Sequence, residues 1–383
     1  MQKGSIVLFF LIFMNCHWLW AGRSQPSAVS SRFGTVSYFY SKSHGRPRQN
    51  SKLATRYSEL TTRYSKLTTR YSKLTTRYSF THIAMGSAFN LVFYAPNDSI
   101  AKMASDSVFK RIDFLNTILS DYLDGSETNR LSATAGTGEK FYASPLLFDI
   151  LQKSICLSQQ TKGAFDVTIG PVVQLWRRAM RRNYFPPRKE IRAAKQVVGY
   201  HFIKLNEVEQ SVLLKKKGMR LDFGGVGKGY AADQSLLVLR HFGITAALID
   251  AGGDLTLGDA PPNKKGWEIE VSSGGKDTTA KHLLTLNNCG VATSGATYRY
   301  LEHKGIRYSH IVNPHTGVGL TTHTRTTVIA PNGTAADALA TGFSVLGIKR
   351  GATIAKKING IEVWLLEQNG TQIYHYAVPK IKK

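Results

Sequence analysis

The body of this chain is predicted to be a mixed α/β (α+β) domain, on three observations. Alternating β-branched and aromatic residues from Ile83 to Tyr94 have the period of a strand. Four segments read as helices: Ser99 to Leu119, Pro145 to Gln159, Lys228 to His241 and Ala335 to Leu346. From Gly199 onward, short strands and glycine turns alternate with the last two of those helices.

Each element has a local reason. Ile100, Met103, Val108, Ile112, Leu115 and Ile118 recur at the spacing that lines one face of a helix. The second helix opens on Pro145, whose fixed φ and missing N–H suit a first turn. Arg177 to Lys195 is dense in Lys and Arg and contains Pro186 and Pro187, so it is expected to form an exposed basic excursion. The apolar run Ala246 to Ile249 ends in Asp250-Ala251-Gly252-Gly253-Asp254, which reads as a buried strand closed by a turn.

At 383 residues the chain is long enough for one large domain or two. Composition divides it into residues 1–22, 23–80 and 81–383. The first segment has Lys3 followed by an apolar run from Ile6 to Met14, the layout of a signal peptide and short for a membrane span. It predicts export, with cleavage after Ala21 and Gly22 or an uncleaved anchor; Phe13 and Asn15 are poor flanks for lipidation at Cys16. The net charge is +25, and between Arg23 and Phe80 twelve Lys and Arg face a single acid, Glu59. No DNA- or RNA-binding motif accompanies that charge, so nucleic acid is not expected, and the basic tail is read as resting on an anionic membrane surface. From Ser51 to Tyr78 a seven-residue unit occurs four times, ending as Ser-Lys-Leu-Thr-Thr-Arg-Tyr. Its Leu and Tyr residues follow a coiled-coil spacing, but paired threonines are weak helix formers, and the segment is expected to be a disordered or marginally helical tether. Outside the signal segment only Cys156 and Cys289 remain, so one disulfide is possible and a disulfide framework is excluded.

Two motifs point to chemistry. Asp222-Phe223-Gly224-Gly225-Val226-Gly227-Lys228-Gly229-Tyr230 places glycines and a Lys before a helix start, where backbone can approach a ligand closely and unpaired N–H groups can meet phosphate oxygens. A tight strand-to-helix turn is the plainer reading of the same residues. It is not a Walker loop, since Asp222 stands at the first glycine position and Gly229 at that of the Ser or Thr. Nor is it a kinase motif, for no His-Arg-Asp sequence exists in the chain. Further on, Asp337 and Thr341 are four residues apart and so share a helix face, where both could offer oxygen to one hard cation. Together the motifs indicate a metal-assisted pyrophosphate site. His310 and His315 flank a Pro314 turn beside hydroxyl-rich segments, which makes His310 a candidate proton acceptor.

In order along the chain, further short segments stand around these motifs: Met85-Gly86-Ser87, Ser120-Asp121-Tyr122, Gly163-Ala164-Phe165-Asp166 with Leu175-Trp176, Gly252-Gly253-Asp254, Thr293-Ser294-Gly295, Ser309-His310-Ile311 with Thr316-Gly317, and Ala336-Asp337-Ala338 with Thr341. On them the chain, from about Met85 to Gly347, resembles the ApbE family of flavin transferases, FAD:protein FMN transferases first described as thiamine-biosynthesis lipoproteins. No part of that resemblance covers residues 1–80.

The resemblance implies an ApbE-like fold with a cleft binding FAD and a metal. FAD would be lined by Met85, Tyr122, Gly163, Ala164, Phe165, Asp222, Lys228 and Ile311, with Ala340 near the phosphates. Mg²⁺ would be held by Asp337, Thr341 and the backbone carbonyl of Gly225. The implied reaction transfers FMN from FAD to a threonine hydroxyl of a target redox protein and releases AMP, with His310 as base. Hydrolysis of FAD to FMN and AMP, or storage of FAD without chemistry, are the alternatives. The implied location is the periplasmic face of the inner membrane.

Overall fold

The structure, a computed structural model, describes residues 75–272, 281–295, 300–369 and 372–377. The signal-like segment, and all of the repeats but their last few residues, lie outside these.

Eight strands form the main sheet: β1 (Thr76–Ala84), β2 (Ser87–Ala95), β3 (Ala247–Ala251), β4 (Leu255–Leu257), β5 (Cys289–Gly295), β6 (His323–Ala330), β7 (Glu362–Asn369) and β8 (Gln372–Ala377). They lie side by side in chain order, each antiparallel to its neighbours. Among the described residues seven α-helices accompany them: α1 (Asp98–Leu119), α2 (Glu127–Ala133), α3 (Pro145–Gln160), α4 (Gly170–Arg182), α5 (Arg188–Lys195), α6 (Gly227–His241) and α7 (Gly333–Ala355). The insertion between β2 and β3 carries all of them except α7, and it ends with α6 leading back into the sheet. The α+β class and the four expected helices are present.

The first strand differs from expectation. Ile83 to Tyr94 is not one strand but the inner parts of a hairpin, in which Ala84 pairs with Ser87 and Met85-Gly86 make the turn. Both turn residues have positive φ, 49° and 72°, as a two-residue hairpin turn requires. β1 begins at Thr76, so the last copy of the repeat supplies Thr76, Arg77 and Tyr78 to the sheet, ahead of the expected boundary at residue 80. Burial alternates along it: Tyr78, Phe80 and His82 face inward. Tyr78 donates to Asp98 at 2.6 Å, Phe80 stacks on Phe93, and His82 meets Asp113 at 2.7 Å.

The basic stretch is also not an excursion. Arg177 to Lys195 contains the end of α4 and all of α5, and Ala179 and Ile191 are buried in a second core with Val172, Leu175, Trp176, Leu301 and Val312. Trp176 donates its indole N–H to the carbonyl of Gly317 at 2.9 Å, and Phe185 and Tyr308 lie against its ring. Asn183, in the left-handed region at φ 49°, ends α4, and Pro187 stands at the start of α5. The excess charge sits on the outer faces, at Arg178, Arg181, Arg182, Arg188, Lys189 and Arg192.

Candidate active site

The crossing of α6 and α7 builds one side of the site. Gly229 lies so close to Gly333 that a Cβ there would overlap the Gly333 carbonyl, and a Cβ on Gly333 would overlap the Thr256 hydroxyl. Asp233, one turn along α6, clamps the start of α7, accepting from the amides of Gly333 and Thr334 at 2.8 and 2.9 Å and from the Thr334 and Thr256 hydroxyls. Asn332 caps the same helix end through the Ala335 amide at 2.8 Å. α7 is broken at Gly347, with φ 66°, just after the expected helix end at Leu346. The helix therefore presents Asp337, Ala340 and Thr341 from a fixed origin. Asp337 is buried and accepts the Gly229 amide at 3.0 Å.

Burial and the neighbouring Asp254 push the Asp337 carboxyl up to about 7, against the opposing pull of Lys228. Lys228 forms an ion pair with Asp254. Burial alone would lower the Lys228 ammonium, but the charges of Asp337, Asp254 and Asp250 outweigh it and hold it above the ordinary lysine value. Asp254 also accepts from the Thr293 amide on β5. The Met85 turn joins this group through Ser87, whose Oγ lies 2.7 Å from where a Cβ on Gly252 would stand.

Several amides of the glycine loop are paired within the fold. The Gly224 amide is spent on the Asp222 carboxylate at 2.7 Å, those of Val226 and Gly227 on the Phe223 carbonyl at 3.0 and 2.7 Å, and that of Gly229 on Asp337. The loop is a tight strand-to-helix turn whose glycines permit close packing. Gly225 is the member that faces the candidate metal position: a Cβ there would stand 3.1 Å from the Thr341 hydroxyl. Asp337, Thr341 and the backbone at Gly225 are thus gathered, all with oxygen donors. Among the described residues no group of three or more His, Cys, Asp or Glu forms a metal cluster. One carboxylate, one hydroxyl and one carbonyl suit Mg²⁺, which completes its shell with water and substrate phosphate oxygens.

The Gly163-Ala164-Phe165 turn reaches the same helix. Gly163 has φ 77°, and the Phe165 and Thr161 side chains would be 3.2 and 2.8 Å from a Cβ on Gly342, next to Thr341. His315 lies over this turn, its ring carbon 3.3 Å from a Cβ placed on Gly163. His310 is exposed at the turn beyond Tyr308 and Ser309, and Ile311 beside it is buried.

The opposite side is built from side chains. Asp222 is buried beside Asp121, and burial first and that second charge next raise its carboxyl above the ordinary value. Arg177 on α4 answers both, bonding Asp222 at 2.8 Å and Asp121 in a second ion pair. Its guanidinium also lies 4.3 Å over the centre of the Tyr122 ring. Sequence reasoning missed Arg177. Its partners are 56 and 45 residues away, so no local pattern separates it from the other arginines of its helix.

Residues 85–365 match the model of the ApbE family. The chain is 30% identical over 294 residues to an FAD:protein FMN transferase of Klebsiella pneumoniae, covering 76% of this chain and 89% of that one. It is 28% identical to the Escherichia coli K12 FAD:protein FMN transferase, over 72% of this chain and 80% of that one. Among solved structures, the flavinyl transferase ApbE of Pseudomonas stutzeri in its apo form superposes with a TM-score of 0.70 at 25% identity, covering 79% of this chain and 95% of that one. A variant of the Vibrio cholerae flavin transferase ApbE gives the same score and identity, over 79% of this chain and 97% of that one. This chain belongs to the ApbE family.

Proposed function

We propose that this protein is an FAD:protein FMN transferase that moves FMN from FAD to a threonine hydroxyl of a target redox protein. The observation that carries this reading is the meeting of Asp337, Thr341 and Gly225 beside Lys228, on a chain whose relatives bear that enzyme's name. In the reaction the threonine oxygen bonds to the FMN phosphorus, the bond to the AMP phosphate breaks, and AMP leaves with the electron pair. Asp337 and Thr341, with the Gly225 carbonyl, would hold Mg²⁺, which when bound neutralises charge developing on the pyrophosphate.

The chain's own residues supply position. Lys228 sets a cation at the start of α6, and the charges of Asp337 and of its partner Asp254 keep the ammonium ionised. Met85, Gly163, Ala164, Phe165, Ile311 and Ala340 line FAD, with Tyr122 and Asp222 on the far side. His310 takes the proton of the attacking hydroxyl.

Export to the periplasmic face of the inner membrane, with the basic repeats spacing the domain from the lipid, completes the reading. It rests on residues 1–80 of the sequence. Among the described residues no helix is long and apolar enough to cross a membrane.

The test is to incubate the protein with FAD, Mg²⁺ and a threonine-bearing acceptor and to weigh the acceptor intact. A gain of one FMN, lost with chelator and slowed in His310→Ala, is expected. FMN and AMP released with the acceptor unmodified would replace the transferase with a pyrophosphatase, and unchanged FAD would leave a binding protein.

A further inference from the structure

Tyr122 is 71% exposed, yet its ring is not left to rotate freely. Arg177 covers one face at 4.3 Å and reaches past it to the buried carboxylates of Asp121 and Asp222. Three segments distant in sequence are thereby tied at one guanidinium: the turn after α1, the middle of α4 and the loop leading to Gly225. Asp222 is fixed on its other sides too, its amide donating to Val167 at 2.8 Å and its carboxylate accepting from Gly224. Tyr122 has no such second anchor apart from the Ser120 hydroxyl, which accepts its backbone amide at 3.2 Å. Without the cation, two buried carboxylates would face one another and the Tyr122 turn would lose its tie to the loop. A guanidinium does this where an ammonium would not, because it is planar enough to stack and forked enough to serve two acceptors.

We propose that Arg177 is a positioning residue for FAD: it holds the Tyr122 ring as a fixed platform whose open face stacks on a planar ring of the dinucleotide, and locks that platform to the loop leading to the metal. This rests on the transferase reading, in which Tyr122 and Asp222 line FAD. Arg177 acts through Tyr122, so its loss weakens FAD binding while turnover at saturating FAD, governed by the α6–α7 side, is retained.

The experiment measures FAD affinity by flavin fluorescence on the full-length protein, for wild type, Arg177→Met, Arg177→Lys, Tyr122→Ala and the double variant Tyr122→Ala/Arg177→Met. Arg177→Met should weaken binding about tenfold, raising the KM for FAD with little change in kcat. Arg177→Lys should fall between. The double variant should bind no more weakly than Tyr122→Ala alone, since one change has already removed what the other supports. Additive losses, or wild-type affinity in Arg177→Met, would overturn the proposal. Should Arg177→Met fail to fold, Asp121→Asn/Arg177→Gln removes the cation together with one of its two carboxylates, and wild-type affinity in that variant is equally fatal. Failure of the wild type to bind FAD at all would instead remove the transferase reading, and this proposal with it.

Discussion

The two sides of the candidate site are built on opposite principles. The α6–α7 side is built on close backbone approach: Gly229 against the Gly333 backbone, Gly225 against the Thr341 side chain, and a helix start clamped by the half-buried Asp233. The Tyr122 side is a cluster of side chains, one Arg between two acids with an aromatic ring on top, partly open to solvent. A backbone crossing has one workable distance, which suits a metal that tolerates little variation in geometry. A side-chain cluster can yield and re-form, which suits a surface that must admit and release a large planar ligand. Changes on the first side should therefore be all-or-none, and changes on the second graded.

The largest expected effect is Asp337→Ala. Transfer should fall by at least about a hundredfold, as expected when a group stabilising developing charge is lost, while FAD stays bound through the opposite side. Mass spectrometry of the acceptor beside a flavin binding titration checks both halves. Activity near that of the wild type would remove Asp337 from the metal site.

Gly229→Ala and Gly225→Ala separate packing from ligation within one loop. A Cβ at Gly229 meets the backbone of Gly333, which cannot yield, so a loss of about 1–3 kcal/mol in stability is expected. A Cβ at Gly225 meets the Thr341 side chain at 3.1 Å, so stability should change little and Mg²⁺-dependent activity should drop. Urea unfolding and a Mg²⁺ titration of rate distinguish the two. Equal loss of stability in both variants would show that the loop is a structural turn throughout.

A smaller effect tests where the domain begins. Truncation to residue 75 keeps β1, whereas truncation to Ile83 removes Tyr78, Phe80 and His82 with their contacts to Asp98, Phe93 and Asp113. Thermal unfolding should place the shorter protein several degrees lower, as about 1–2 kcal/mol of lost contact implies. Equal midpoints would return Thr76 to Tyr78 to the tether.

What the sequence disclosed divides along the same line as the two sides of the candidate site. Glycines before a helix and a carboxylate four residues before a hydroxyl are local patterns, and they located α6, α7 and the Asp337–Thr341 face. They did not disclose that Gly229 is needed for closeness to another helix: closeness to phosphate and closeness to a helix require the same missing Cβ, and the position of Gly333 shows the second. Arg177 was hidden among neighbours of identical type, because its buried role is set by Asp121 and Asp222, which its helix does not contain. The start of β1 was hidden for the converse reason. Thr76 to Tyr78 repeat three earlier copies letter for letter or nearly so, and only the Phe80 and His82 that follow them make that copy a strand.

The finest expected effect concerns protons on the backbone-built side. The Asp337 carboxyl is raised from 3.8 to about 7 by burial and by Asp254. Between those values the folded protein holds a proton that the unfolded chain has released, so this group's contribution to stability falls as pH rises from about 4 to about 7 and is level above. Mg²⁺ needs the carboxylate, so its affinity should climb with pH over the upper part of that window and then flatten. Thermal unfolding at a series of pH values, with and without Mg²⁺ and FAD, should show the metal's stabilising effect growing towards neutrality. Asp337→Asn should abolish both trends, because an amide has no proton to lose there. If instead the variant keeps the wild-type pH dependence, the titrating group belongs to the Lys228–Asp254 pair, and the rigid side of the candidate site carries its charge on the strand turn rather than on α7.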